Sequence, residues 1–377
     1  MARVLLISDE EAKGLLWCAA SGGHEVFVTG VRERNPTVSL STKAKKFFPL
    51  PETASFTKEA GFPALATTIV DLARRLEVDV IVPSTFESLK FAIMERDRLT
   101  EAAPLVPLAT MDKVQLLDDK YSFYRFCCEH GFPHPPSCLL ESAADLAKPE
   151  LSELIYPVLT KPILGVAEQG IEKFDTREAL ERRVAAAPGS FFPVLAQEWF
   201  DGEDIDFNGY ALDGEVAVSS VMRTTRYESH GGRGPEVRFT DFVAHPEVSR
   251  LGIELVKKSQ FTGPLNVDLR IRYSDEKVFF IEVNPRFWGR SMACLIAGLN
   301  FIDPGIQLTH DRQWRNQSRC DGTHWASSIV PLLRDAARGD VTARSHLRRL
   351  SPVQLQFQLH NRSLELLAKL RGVAPIL

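Results

Sequence analysis

Apolar and polar residues along the first hundred positions alternate between two rhythms. RVLLIS (3–8) is a continuous apolar run, EEAKGLLWCAAS (10–21) has helical spacing, and HEVFVTG (24–30) returns to strand. ALATTIVDLARRLEV (64–78) reads as an amphipathic helix feeding a buried strand, VDVIVPS (78–84). Strands separated by helices predict an open parallel α/β sheet, whose ligands lie beyond the carboxyl ends of the strands. Ser8-Asp9, Thr29-Gly30 and Pro83-Ser84-Thr85 with Glu87 occupy those ends, so Glu87 is a candidate substrate residue. The first strand-to-helix turn, SDEEAKG, has no GxGxxG, which sets aside a nicotinamide or flavin fingerprint.

The rhythm changes after residue 108. MDKVQLLDDKYSFYRFCCEH (111–130) predicts one helix closed by Gly131 and a proline-rich exit. YPVLTKPILG is a strand reaching Lys161-Pro162, and residues 191–224 form a meander with a hairpin signal at Asp213-Gly214. GPLNVDLRIRYSDEKVFFIEVNP (263–285) predicts a second hairpin turning at Ser274 to Lys277, so this region is α+β. From residue 311 the chain reads as helical and basic, with eleven Lys/Arg against five Asp/Glu. That charge fits either an anionic partner or a solvated helix face.

Composition excludes more than it identifies. The chain of 377 residues is 44% hydrophobic and 25% charged, with net charge −4, which gives no general pull toward nucleic acid or anionic membrane. Acidic residues follow the first apolar run directly, unlike a signal peptide, and no uncharged stretch approaches the roughly 18 residues of a membrane span. The six cysteines lack CxxC spacing and read as buried, reduced thiols, so a cytoplasmic protein is expected.

The candidate chemistry concentrates in VFFIEVNPRFWGRS (278–291). Alternation puts Glu282, Asn284 and Arg286 on one face of an extended segment: either a strand end meeting solvent, or oxygen donors and a cation gathered for a metal and an anion. The hairpin favours the second reading by bringing Asp268 close to opposite Glu282. Facing carboxylates repel unless a cation lies between them, and oxygen donors suit Mg²⁺, which usually brings phosphates. Lys161 at a strand end and Lys120 at a helix start supply positive charge. Beyond them QEWFDGEDID (197–206) offers backbone groups for an adenine edge and a carboxylate for ribose.

In this order, Lys120, Lys161, the QEWFDGED segment, Asp268 and Glu282-x-Asn284-x-Arg286 resemble the ATP-grasp superfamily of carboxylate–amine ligases over about residues 109 to 305. EVNPRFWGRS is most similar to its carbamoyl-phosphate-synthase-like and D-aspartate-ligase-like carboligases. The resemblance implies a pre-ATP-grasp α/β domain (1–108), a two-subdomain ATP-grasp fold (109–310) hinged near 197–204, and a helical C-terminal region (311–377). It implies ATP held by Lys120, Lys161, Gln197, Glu198, Trp199, Phe200 and Asp204, and Mg²⁺ or Mn²⁺ held by Asp268, Glu282 and Asn284. Arg286, Lys161 and Arg226 become the catalytic cations. Arg223, Arg226, His230 and Arg233, from the loop MRTTRYESHGGRGPEVRF, and Arg290 become binders of a small carboxylate, to be joined to an amine; a homodimer is also expected. One departure stands out: the phosphate loop reads KPILGVAEQGI, with Ala167-Glu168 where such ligases often carry Gly-Ser.

Overall fold

A computed structural model of the chain describes residues 1–165, 170–228, 236–316 and 324–371. Four strands, β1 (Arg3–Ile7), β2 (Glu25–Val31), β3 (Lys46–Leu50) and β4 (Val80–Pro83), form a parallel sheet in the order β3-β2-β1-β4. β3, KFFPL, is concealed in the sequence by Lys46 and Pro49. It lies at the sheet edge, where a proline costs no ladder bond on the open side. The amphipathic helix spans Phe62–Leu76, begins with a proline in its first turn and buries Leu65, Ile69, Val70 and Leu72.

Residues 111–130 are two helices, where the periodicity predicts one. Met111–Asp118 and Lys120–His130 are separated by Asp119, which is extended (φ −73°, ψ 116°) and accepts the Ser122 N–H at 2.7 Å. A short acceptor three residues ahead of an N–H competes with helix continuation by capping a new helix. The second helix therefore starts at Lys120, whose own N–H donates to the Ile163 carbonyl.

A second sheet joins β5 (Ser137–Leu140), β6 (Val158–Pro162), β7 (Glu172–Phe174) and β8 (Val194–Glu198) in the order β5-β8-β6-β7. It has its own apolar cluster, including Leu140, Leu151, Val158, Leu180 and Val194. The third sheet contains β9 (Gly202–Leu212), β10 (Glu215–Glu228), β11 (Glu236–Phe242), β12 (Gly263–Arg272), β13 (Val278–Asn284) and β14 (His324–Ala326), ordered β13-β12-β9-β10-β11-β14. Asp213 and Gly214 turn β9 into β10 with φ of 51° and 80°, the two positive values a tight primed hairpin turn requires. β12 and β13 pair with Asp268 opposite Glu282.

The C-terminal segment contributes more than helices. β14 adds an edge strand to the large sheet, a three-residue element too short for a period to reveal. Helices Val330–Ala337, Val341–Arg349 and Pro352–Leu370 follow. The last of these spans two parts of the fold. Phe357 and His360 lie 5.4 and 5.3 Å from the Trp17 ring of the first helix, and Gln354 and Gln358 donate to the Ala326 carbonyl of β14.

Helix Pro246–Ser259 packs on the back of the large sheet, where Gly252 meets the Phe207 ring so closely that a Cβ would overlap it. The Phe207 ring is fully buried and has no free space to move into, so the core cannot give way cheaply. Gly252→Ala is expected to lower stability by about 1–3 kcal/mol. Chemical denaturation with an unchanged midpoint would contradict this account.

Candidate active site

The second and third sheets face each other across a cavity of about 730 Å³. Leu159 and Ile171 line one side, and Leu269 and Ile281 the other. The bulge between β12 and β13 matters here. Asp268 pairs with Glu282 but Leu269 pairs with Phe280, leaving Ile281 as the extra residue. Ile281 and Glu282, neighbours in sequence, thereby both line the cavity, one as apolar wall and one as carboxylate.

Cross-strand registry stacks polar side chains in rows over β9, β12 and β13. Asn208, Asn266 and Asn284 form one row; Asp206, Asp268 and Glu282 the next; Asp204 and Arg270 a third. In the amide row Asn284 Nδ2 donates to Asn266 Oδ1 and Asn266 Nδ2 to Asn208 Oδ1, each at 3.1 Å. Arg286 Nη2 donates to Asn284 Oδ1 at 2.8 Å, so the arginine engages the oxygen that a metal would use.

The carboxylate row is electrostatically crowded. Burial, then the Asp206 and Glu282 charges, push the Asp268 carboxyl well above its ordinary range. Asp206 is also raised by burial, although Arg290 opposes this from 2.5 Å. Lys120 Nζ stands 3.5 Å from Glu282. Asp118 joins this group: burial raises its carboxyl against the pull of Arg286 and Lys120. Carboxylates held above their usual range by burial and by neighbouring carboxylates fit a divalent cation, which would let them ionise together. Among the described residues no set of three or more His, Cys, Asp or Glu side chains is gathered to hold a metal unaided. The oxygens here suit a hard cation that keeps other ligands, such as phosphate.

From the opposite sheet Lys161 projects into the cavity, almost fully buried. Burial drives its ammonium down to about 8, with Glu282 opposing the shift and Lys120 adding to it. Its Nζ donates to Gln197 Oε1 at 2.6 Å. Gln197 Nε2 in turn faces Ser137 Oγ at 3.2 Å and His134 Nε2 at 3.5 Å. Gln197 itself lines the cavity while its side-chain oxygen accepts from Lys161. The following residues keep the right atoms available. The N–H groups of Glu198 and Trp199 donate to the Pro136 and Pro157 carbonyls. Those prolines have no N–H to return, so the Glu198 and Trp199 carbonyls get no ladder bond from them. The Glu198 carboxylate itself accepts the Ile155 N–H, while Trp199 lies under Lys173 and Phe200 against Phe279.

Asp204 lines the cavity but is paired with Arg270 at 2.6 Å, and with Arg226 at 3.8 Å. Arg226 and Arg290 line the cavity as well; Arg223 instead pairs with Glu203 at 3.0 Å and does not line it. Glu87 stands apart, at the start of helix Phe86–Met94 near Asp9 and Glu10, where burial raises its carboxyl. His230, Arg233 and Ala167-Glu168 lie outside the described residues. Sequence reasoning passed over Asp206, Arg270, Thr224, Arg238, Thr240, Trp325 and Ser327, all of which line the cavity. The alternation in GEDIDFNG carried the signal for Asp206, and that in MRTTR the signal for Thr224. A larger concavity, about 1120 Å³, lies between β10 and helix Pro246–Ser259; its carboxylates Asp213 and Glu215 are ion-paired to Arg312 and Arg315.

Two facing sheets, one presenting a buried lysine and the other a carboxylate hairpin, define a clamp around a nucleotide-sized cleft. Residues 117–290 match the family described as an ATP-grasp domain. The chain is 27% identical over 235 residues to the carbamoyl phosphate synthase large chain of Thermomicrobium roseum, covering 57% of this chain and 21% of that one. It is 26% identical over 192 residues to the D-alanine–D-alanine ligase of Paracidovorax citrulli, covering 48% and 57%. The chain thus spans about a fifth of the synthase chain it matches. Its fold is similar to the biotin carboxylase domain of the 2-oxoglutarate carboxylase of Hydrogenobacter thermophilus, solved with MgADP and bicarbonate. The TM-score is 0.64 at 16% identity, over 86% of this chain and 73% of that one. Among the described residues no helix is long and apolar enough to cross a membrane.

His134 yields a test of the buried polar cluster. Burial lowers its pKa from 6.5 to about 4, and its Nδ1–H donates to the Pro135 carbonyl, so Nε2 is left as the acceptor for Gln197. The unfolded chain takes a proton near 6.5 while the folded one resists until about 4. Stability present above pH 6.5 is therefore lost as pH falls through that window. Between pH 7 and 5 the wild type is expected to lose about 2 kcal/mol that His134→Gln does not. Denaturation curves showing the same loss in both proteins would refute it.

Proposed function

We propose that the protein is an ATP-dependent carbon–nitrogen ligase. It activates a small carboxylic acid, an amino acid or similar metabolite, as an acyl phosphate and joins it to an amine, releasing ADP and phosphate. The observation that carries this reading is Asp268 facing Glu282 in the ATP-grasp cleft, with Lys120 beside Glu282 and Lys161 on the opposite sheet. The identities of the relatives support it: a carbamoyl phosphate synthase chain and a D-alanine–D-alanine ligase.

In this proposal adenine lies between Leu159 and Ile171 on one side and Leu269 and Ile281 on the other, read by the backbone of Glu198 to Phe200. Asp204 holds the ribose once Arg270 shifts, and Lys161 and Lys120 hold the phosphates. Asp268, Glu282 and Asn284 hold Mg²⁺ or Mn²⁺, which would neutralise charge on the transferring phosphate. A substrate carboxylate oxygen attacks the γ-phosphorus and ADP leaves. The amine then attacks the acyl carbon, phosphate departs, and the amine proton passes to phosphate or solvent. Arg286 and Arg290 neutralise the charge that moves through these steps. Arg226, with His230 and Arg233, orients the carboxylate substrate. The proposal retains the division 1–108, 109–310 and 311–377, a cytoplasmic location and a homodimer. The free, mostly buried cysteines among the described residues fit that location.

Glu282→Gln and Lys161→Ala are expected to lower acid- and amine-dependent ADP release by on the order of 10²-fold or more, with circular dichroism unchanged. ADP release within a few-fold of wild type in both purified variants would remove this mechanism.

A further inference from the structure

The half of the cleft away from Gln197 is walled by β10, β11 and β14. Registry places Thr224, Thr240 and Trp325 in one row, and Arg226 and Arg238 in the next, all lining the same cavity as Lys161 and Asp268. Arg290 joins this wall to the carboxylate row by donating to Asp206 and to Thr224, each at 2.5 Å. Thr224 to Trp325 is two strand spacings, about 10 Å, room for one or two residues' worth of ligand.

Trp325 is the far end of that row, and it is held firmly. The ring lies 5.8 Å from Phe357. The adjacent Ala326 carbonyl accepts Gln354 Nε2 at 2.6 Å and Gln358 Nε2 at 2.9 Å, and the Ala326 N–H faces Gln354 Oε1 at 3.4 Å. Ser327 Oγ accepts the Arg238 N–H at 3.0 Å. Backed by a helix and carried on a strand whose next two residues are hydrogen-bonded in place, the indole sets a limit on ligand length, because swinging aside would give up its contact with Phe357.

We infer that Trp325 is the specificity-determining end wall of the substrate pocket, and that the molecule bound there is a small carboxylate-bearing amino acid. Its carboxylate meets the guanidinium groups of this wall, Arg226 foremost, a fork geometry suited to carboxylates. Its side chain lies on Thr224 and Thr240 and stops at the indole. The inference rests on the ligase reading for the reaction, while the wall itself stands on the registry and on the bonds that fix β14.

The test uses the full chain and amino acids graded in size from glycine to phenylalanine. Trp325→Ala is expected to raise the ratio of kcat/KM for bulky over small substrates about 10-fold or more, as a filled hydrophobic pocket permits. Trp325→Phe is expected to give a smaller rise and guards against a misfolded alanine variant. The KM for ATP stays within two-fold of wild type. An unchanged size ratio in both active variants overturns the wall and leaves the ligase reading intact. If no acid–amine pair elicits ADP release even from the wild type, the ligase reading fails. Binding then decides the wall, by thermal shift with the same amino acids and a non-hydrolysable ATP analogue. Tighter binding of bulky ligands to Trp325→Ala upholds it, and identical shifts overturn it.

Discussion

Asp206, Asp268 and Glu282 lie side by side on three neighbouring strands, and the energy of holding them together governs much of what surrounds them. Burial disfavours the charge on Asp206 and on Asp268, and the Asp206 and Glu282 charges add to the penalty on Asp268. Cations stand at both ends of the row, Arg290 against Asp206 and Lys120 against Glu282, while Asp268 in the middle is left the most strongly raised. In the proposed function a divalent ion with its phosphates would offset that cost.

The facing sheet is constructed on the opposite principle. Its lysine is buried, and burial lowers the charge on Lys161 toward neutrality near pH 8. Gln197, Ser137 and His134 form a neutral scaffold that orients the ammonium without pairing it to a carboxylate. A salt-bridged lysine would be charged at any working pH but would have to give up its partner to an incoming phosphate. An amide-oriented lysine faces no such exchange. The separate apolar cluster of this sheet lets it act as a unit above the carboxylate hairpin.

How much of this was legible from sequence depended on the reach of the pattern. The β12–β13 hairpin could be read because alternation of period two and a polar turn fix which residues face each other, so Asp268 and Glu282 are paired on paper as they are in space. The partner of Gln197 was less legible: alternation sends its side chain to the other side from Glu198, toward Lys161, which lies 36 residues away. The break at Asp119 was hidden because apolar spacing continues through it, and only the capping chemistry of its side chain interrupts the helix. Trp325 was out of reach altogether. It lies about forty residues beyond the hairpin in a three-residue strand, and nothing local marks it as part of the cleft.

That distance has a structural consequence. Helix Pro352–Leu370 fastens β14 through Gln354 and Gln358, and the same helix packs edge-on against Trp17 and pairs Glu365 with Lys13 of the first α/β unit at 3.3 Å. The first α/β unit and the edge of the large sheet are thus tied to one helix. A shift of the parallel sheet relative to the large sheet must bend this helix, break its contacts with Trp17, or move β14 with it. Moving β14 would also break its pairing with β11, so the helix, β14 and the large sheet hold one another in place. The C-terminal segment accordingly ties the first α/β unit to the edge of the large sheet, a link that its basic, helical sequence gives no hint of.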